Sequence, residues 1–416
     1  MTDAQVAMMA AEPPVGPVRE GFPEPAPPTS RDEAWRYSPA TDLVRGLESA
    51  LPSERVLDVD LETILGCLAH RSPRLVFVDG VFEPRASRLR PRGRASMHPV
   101  ARRHRWSEEH DIAADWFEVR NERAPDDAAL IAIETGTAVP TPLHVVHVTQ
   151  HGGHHPVASH PRTIIRVEAG GSVDVVESFC SASGPGATNA VTLLQVGDGA
   201  QLRYHRIQDE HDAGTHTGLV RASLGADSST YVNSLTLGAA ASRVAIDVGL
   251  VEEAGAFDLD ALYVISGDQH HDHVVTVEHA ASATISNQRV RGMVDDRARG
   301  GFTGHVIVPA GVGAVEVDQS SRALLLAPHA QVDARPWLEI LADDVRATHG
   351  AAIGRLDDEA LFYLRSRGVP EDRARRILLR AFADEMTSGI SDGWVREHAA
   401  GLVSARLDRS APEASR

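Results

Sequence analysis

A repeating unit constrains this chain more than any other feature. Five short runs align in the middle of the sequence: VEAGGSV from Val167, VGDGAQL from Val196, LGADSST from Leu224, VEEAGAF from Val251 and VPAGVGAV from Val308. The first four start 29, 28 and 27 residues apart, and the fifth follows after 57, close to two further steps. His279-Ala280-Ala281 falls near the skipped position, and Leu326-Ala327-Pro328-His329-Ala330 supplies a shorter last step. A fixed period of this size marks stacked units, each too small to bury its own apolar face. Every unit reads as an apolar run, a turn rich in Gly, Ala and Asp, then a second apolar run, which is the grammar of strand, tight turn, strand. No long amphipathic helical pattern interrupts residues 163–340, so alternating strand and helix is disfavoured. The period favours a mainly β chain built as a β-helix over a β-sandwich.

The flanks read differently. Residues 1–30 carry seven prolines among Ala, Gly and Glu, a composition expected to form a disordered arm. Ordered structure is expected from Ser30-Arg31-Asp32-Glu33-Ala34-Trp35, with further helices around Leu61 to His70 and from Ser107 through Val119, giving a helix-leaning N-terminal domain over 31–135. The β-helix core then spans 136–345. A C-terminal helical domain follows over 346–403: Asp357 is placed as an N-cap, with Leu356 stapling against Leu361. Gly368 ends that helix, and Pro370 opens another through Ile377, Leu378 and Phe382. Residues 404–416 are expected to be a disordered tail.

Charge and cysteine content exclude several roles. Lys+Arg 41 against Asp+Glu 58 leaves a net charge of -17, which opposes binding to nucleic acid or to an anionic membrane surface. Only Cys67 and Cys180 are present, too few for a disulfide framework or a four-cysteine metal site. Neither a signal-peptide pattern nor an apolar run of membrane-spanning length is found, so a cytoplasmic location is expected. With no G-x-x-x-x-G-K-[ST] loop there is no phosphate cradle, and with no G-x-S-x-G elbow no nucleophile is assigned.

Histidines supply the candidate chemistry. In DQHHDHVVTVEH, residues 268–279, His271 and His273 lie two apart, hence on one face of a strand, and Glu278 follows. Two imidazoles and a carboxylate form a recognised open metal site, as in a cupin-like β-barrel enzyme. That reading needs a fourth ligand after a downstream P-x-G turn, but Pro309-Ala310-Gly311 is followed by VGAVEV, with no histidine. A repeat of this length also does not suit a single small barrel. His271 and His273 are therefore expected to form a polar ladder on the solenoid surface or at a subunit interface. A second run, HVVHVTQHGGHHPVASH from His144 to His160, centres on a turn and is expected to be an exposed loop. Cys67 and Cys180 have no second ligand at suitable spacing and are expected to be inert.

Several stretches together resemble the SufB/SufD family of iron–sulfur cluster assembly proteins. They are ADDVRATHGAAIGRLDDEALFYLRSRG (342–368), TNAVTLLQVGDGAQLRYHRIQDE (188–210), QHHDHVVTVEH (269–279), GGFTGHVIV (300–308) and DQSSRALLLAPHAQVDARPWLEI (318–340). The resemblance covers roughly residues 140–385, with a fainter echo at Trp35-Arg36-Tyr37. It implies a right-handed parallel β-helix core flanked by N-terminal and C-terminal helical domains. It also implies a non-catalytic scaffold subunit that pairs with a SufB-type paralogue through the β-helix and docks a SufC-type ATPase on its C-terminal domain. The absence of any cysteine after Cys180, the TNAVT stretch and the chain length resemble the SufD-type branch.

The same resemblance assigns site residues. His349 of the THG motif matches the family histidine at the SufB–SufD interface and would handle iron or an assembling cluster. Many family members carry a cysteine two residues earlier, where this chain has Ala347. No cofactor would be bound by the isolated chain; the cluster would be held transiently in the complex. Tyr363, Arg365 and Arg367 are the candidates for the ATPase-docking face, with Leu361 and Leu364 turned to the core.

Overall fold

The computed structural model describes residues 24–51, 72–89, 94–100, 115–124, 126–150 and 156–409. Among these residues the repeats form a β-solenoid of two ten-stranded sheets, parallel except for one strand at the N-terminal end of each, facing each other across a packed lumen. Each turn of the chain leaves one strand on each sheet, and neighbouring turns pair in register. Thus Ser229–Thr236 lies between Gln201–Asp209 and Ala256–Ile265 on the first sheet, and Ala241–Leu250 between Thr215–Leu224 and His270–His279 on the second.

The period arises at the corners. Gly170, Gly199, Asp227, Ala254, Ala283 and Ala314 all have positive φ, and each lies at a passage from the second sheet back to the first. That conformation favours Gly and tolerates Asp, which explains the turn composition of the repeats. The corners also bond to one another along the stack: Gly170 N–H donates to Asp198 O (2.8 Å), Gly199 N–H to Ala226 O (2.7 Å) and Asp227 N–H to Glu253 O (3.0 Å). Ala283 sits at the step that the aligned runs skipped. Leu326–Ala330 belongs instead to the opposite corner, between Val315–Leu325 and Gln331–Ile340, which is why its step looked short.

Strands alternate their faces, and the lumen-facing set is mostly aliphatic: Val175, Leu202, Val232, Leu259 and Val290 on one sheet; Leu194, Val220, Ile246, Val275 and Phe302 on the other. Among the described residues five α-helices flank the solenoid: α1 (Ala40–Ser49), α2 (Trp116–Arg123), α3 (Asp358–Ser366), α4 (Glu371–Thr387) and α5 (Gly393–Arg409). The first two cover the outer face of the second sheet through Leu43, Leu47, Trp116 and Phe117, joined by Trp35, whose ring stacks on Phe117 at 5.3 Å. Helices α4 and α5 bury Leu379, Met386, Val395 and Val403 against Ile207, Leu235, Leu262 and Met293 on the outer face of the first sheet.

Several boundaries differ from those expected. The 31–135 region is not mainly helical among its described residues. Arg74–Val78, Val81–Phe82, Ala95–Val100 and Ala128–Ile133 are strands, and all four join the solenoid sheets. The expected helix at 61–70 lies outside the described residues, as does the start of the one at 107–119; helix is present from Trp116, capped by Asp115, which accepts from Glu118 N–H at 2.8 Å. The solenoid continues past 345 through Gly354. The expected tail from 404 is helical to Arg409, because Leu407 and the nearly buried Arg406 hold α5 down; Arg406 pairs with Asp212 at 2.5 Å. Residues 1–23 and 410–416, expected to be disordered, lie outside the described residues.

Candidate functional site

The two ends of the solenoid are built differently. At the N-terminal end both sheets finish in an antiparallel strand: Val81–Phe82 pairs with Arg74–Val78, and Ala95–Val100 with Ala128–Ile133. At the C-terminal end the last strands, Gln331–Ile340 and Val345–Gly354, pair only inward, and no described element pairs with their outer edges. A row of free N–H and C=O groups on a flat edge is a template for another strand. Helices α4 and α5, the nearest candidates for a cap, lie along the sheet face instead.

His349 stands on this open end. It is in register with Gln319, which is in register with Gln288, Leu259, Val232, Tyr204 and Val175. Every earlier member of that column faces the lumen and is buried. Parallel in-register pairing keeps a column on one face, so His349 is the exposed last member of a lumen column. Ala347 is in register with Val317 on the same face. The outer face of the last strand carries polar links instead: Arg346 to Glu316 (2.9 Å) and Thr348 to Asp318 (2.7 Å). Around the end, Trp337 (50% exposed), Leu341 (65%) and Ile353 (46%) present apolar surface to solvent. Trp337 is held rigid by stacking on His305 at 4.1 Å, and His305 also meets Glu339 at 3.2 Å. Sequence reasoning did not single out these three; the exposure of an apolar residue depends on which strand is last.

The other histidine candidates go elsewhere. His271 and His273 do share a face, but it is the lumen face and not the surface: both are buried. His271 Nε2 lies 3.0 Å from Ala239 O, and His273 Nε2 lies 3.2 Å from Thr236 Oγ1, while the His273 ring stacks on Tyr263 at 5.1 Å. Burial pulls their pKa values from 6.5 down to about 4 and about 3, so both are neutral near pH 7. Glu278 projects from the opposite face of the same strand and is exposed, since its separation from each histidine is an odd number of residues. The three side chains do not converge. Among the described residues no group of three or more His, Cys, Asp or Glu is placed to hold a metal ion.

In the second histidine run, His144 and His147 are buried on a strand and not exposed on a loop. His147 is sandwiched between Phe77 (5.3 Å) and Phe179 (5.2 Å) and meets Glu177 at 3.1 Å. The centre of the run, 151–155, lies outside the described residues, as does Cys67. Cys180 is half-buried, with its Sγ 3.8 Å from His147 O.

A buried polar cluster that sequence reasoning missed fills this part of the lumen. Glu177 accepts from Thr192 Oγ1 (2.7 Å), Thr163 and Tyr204 as well as meeting His147. Burial alone would raise its carboxyl, but these hydrogen bonds outweigh burial and hold it below the ordinary value. One rung on, Glu210 meets His216 at 2.7 Å and Gln208 at 2.9 Å, and Arg206 touches His216. The partners of Glu177 come from separate strands, brought together by strand register, whereas Arg206, Gln208 and Glu210 follow one another along one strand and its end.

The C-terminal helices offer a second surface. Asp357 caps α3, accepting from Glu359 N–H (2.9 Å) and Ala360 N–H (3.2 Å), and Gly368, at positive φ, follows the helix end. Leu361 is buried and Leu364 half-buried, while Tyr363, Arg365 and Arg367 face solvent. Arg367 lies over the Tyr363 ring at 5.2 Å, and Arg365 pairs with Glu371 at 3.3 Å. Phe362, at 71%, is the most exposed large apolar side chain among the described residues.

No described helix is long and apolar enough to cross a membrane. Comparison with known proteins gives a consistent result. Residues 147–382 match the family model described as SUF system FeS cluster assembly, SufBD core domain. The chain is 28% identical to the iron–sulfur cluster assembly protein SufD of Escherichia coli, over 91% of this chain and 89% of that one. It is 28% identical to an iron–sulfur cluster assembly SufBD family protein of Synechocystis, over 87% and 84%, and 29% identical to one of Mycobacterium bovis, over 92% and 89%. With more than half of its length matched by the family model, this chain belongs to the SufBD family of iron–sulfur cluster assembly proteins and is SufD-like.

Proposed function

We propose that this chain is a non-catalytic scaffold subunit that joins a SufB-type paralogue through the C-terminal end of its solenoid. The observation that carries the proposal is the asymmetry of the ends: antiparallel strands close one, while the other leaves two free edges ringed by Trp337, Leu341 and Ile353. A solenoid needs a terminal cap to stay soluble, and a second solenoid end supplies one by extending both sheets. Trp337 has the character of an interface anchor: large, aromatic and already ordered.

In this reading, His349 sits in the joint, where its imidazole would contribute a nitrogen ligand to iron or to a nascent cluster passing through as cargo. A lone imidazole is one ligand, so the partner would provide the rest. The exposed α3 face, with Phe362, Tyr363, Arg365 and Arg367, is assigned to a SufC-type ATPase, consistent with the absence of a phosphate-binding loop in this chain. Co-purification of the tagged chain from native cells tests the assembly, with recovery of a SufB-type protein and an ATP-binding subunit expected. Truncation after Arg355 is expected to release the ATPase alone; an ATPase that stays bound would rule out the α3 face. Replacing His349 by Ala with assembly intact is expected to lower iron content and cluster maturation, and unchanged maturation would remove the ligand role.

A further inference from the structure

One step inward from His349 the lumen holds two glutamines that are almost completely enclosed, Gln288 and Gln319. Gln319 Nε2 donates to Gln288 Oε1 at 2.8 Å, and Gln288 Nε2 is also buried with no partner among the described residues. On its other side the Gln319 amide is closely approached by Gly304 of the facing sheet, where any Cβ would overlap Nε2 and the Phe302 ring. The amide is thus held between Gln288 and the Gly304 backbone. Its carbonyl oxygen, Oε1, is buried and accepts from no group among the described residues. A buried acceptor left unmatched costs about 1–3 kcal/mol, so such an atom calls for a donor.

The next side chain in the column is His349, one strand away in register and on the same face. Stacked amides in adjacent strands pass hydrogen bonds along the column, each N–H donating to the carbonyl before it. Gln319 to Gln288 runs in that sense, and the imidazole N–H of His349 is the group that continues it. An imidazole that commits one nitrogen as donor keeps the other as a lone-pair acceptor, and the donor's partner decides which is which.

We propose that Gln319 is a positioning residue for His349: when the exposed ring swings over the end of the lumen, the unmatched Gln319 carbonyl accepts its N–H, selects one neutral tautomer and turns the unprotonated nitrogen to the open end. The proposal rests on the reading of His349 as a ligand for what that nitrogen is for, but not for the hydrogen bond itself. Imidazole 15N shifts of His349 in the full chain, assigned by their loss in His349→Ala, provide the test. The native protein is expected to show one dominant tautomer. Gln319→Leu should collapse it toward the mixture of a free imidazole, and Gln319→Glu, which keeps the acceptor, should retain the tautomer. Iron retention in the assembled complex should fall by about tenfold in Gln319→Leu and recover in Gln319→Glu. A tautomer unchanged in Gln319→Leu, or equally lost in both variants, would overturn the proposal. A tautomer lost in Gln319→Leu with iron retention unchanged would support the positioning role and count against His349 as the ligand.

Discussion

Acid should weaken this fold through histidines sealed in its lumen, and His271 and His273 make the case measurable. Both are buried, and burial lowers their pKa values from 6.5 to about 4 and about 3. Below about pH 6.5 the unfolded chain takes up protons that the folded chain refuses, so stability is at its full value above that pH and falls as pH drops toward the folded pKa values. From these values, each ring disfavours the folded state by roughly 2 kcal/mol more at pH 5 than at pH 7, or about 4 kcal/mol for the pair. Urea unfolding at the two pH values reads the difference directly. A His271→Gln, His273→Gln double variant keeps hydrogen-bonding groups facing Ala239 O and Thr236 Oγ1 but cannot titrate. It should lose about 4 kcal/mol less than the native chain on acidification. Equal losses in the two proteins would show that these rings titrate normally, and the enclosed lumen described above would be wrong.

Two further substitutions probe the packing. Gly292→Ala places a Cβ inside the Tyr263 ring, which is itself buried and stacked on His273, so a loss of about 1–3 kcal/mol is expected in the urea midpoint. Glu177→Ala strands the donors Thr163, Thr192 and Tyr204 and the partner His147, and a loss of about 3–5 kcal/mol is expected by the same assay.

The solenoid was legible in the sequence because its corners need unusual backbone angles. Gly170, Gly199 and Asp227 recur at the period because the αL turn recurs, and the strands between them follow. The α3 boundaries were legible for a similar reason, since Asp357 and Gly368 each answer a local backbone need. Facing was only half legible: alternation places His271 with His273 but does not say whether their shared side is lumen or surface. Arg74–Val78 was hidden because all five of its residues are buried, leaving no alternation to read. The Glu177 cluster depends on register between separate strands, for which no local pattern exists. Trp337 gave no signal because a strand's place at the end of a sheet is a property of what fails to follow it.

Joining through the open end of the solenoid makes a direct prediction for amide exchange. Amide hydrogen exchange with and without the SufB-type paralogue from the same cells tests it most directly. Protection is predicted in Gln331–Ile340 and Val345–Gly354, whose outer edges are free in the isolated chain, with none gained at the closed end formed by Val81–Phe82 and Ala95–Val100. A complex that forms while the two terminal strands keep their exchange rates would contradict the account.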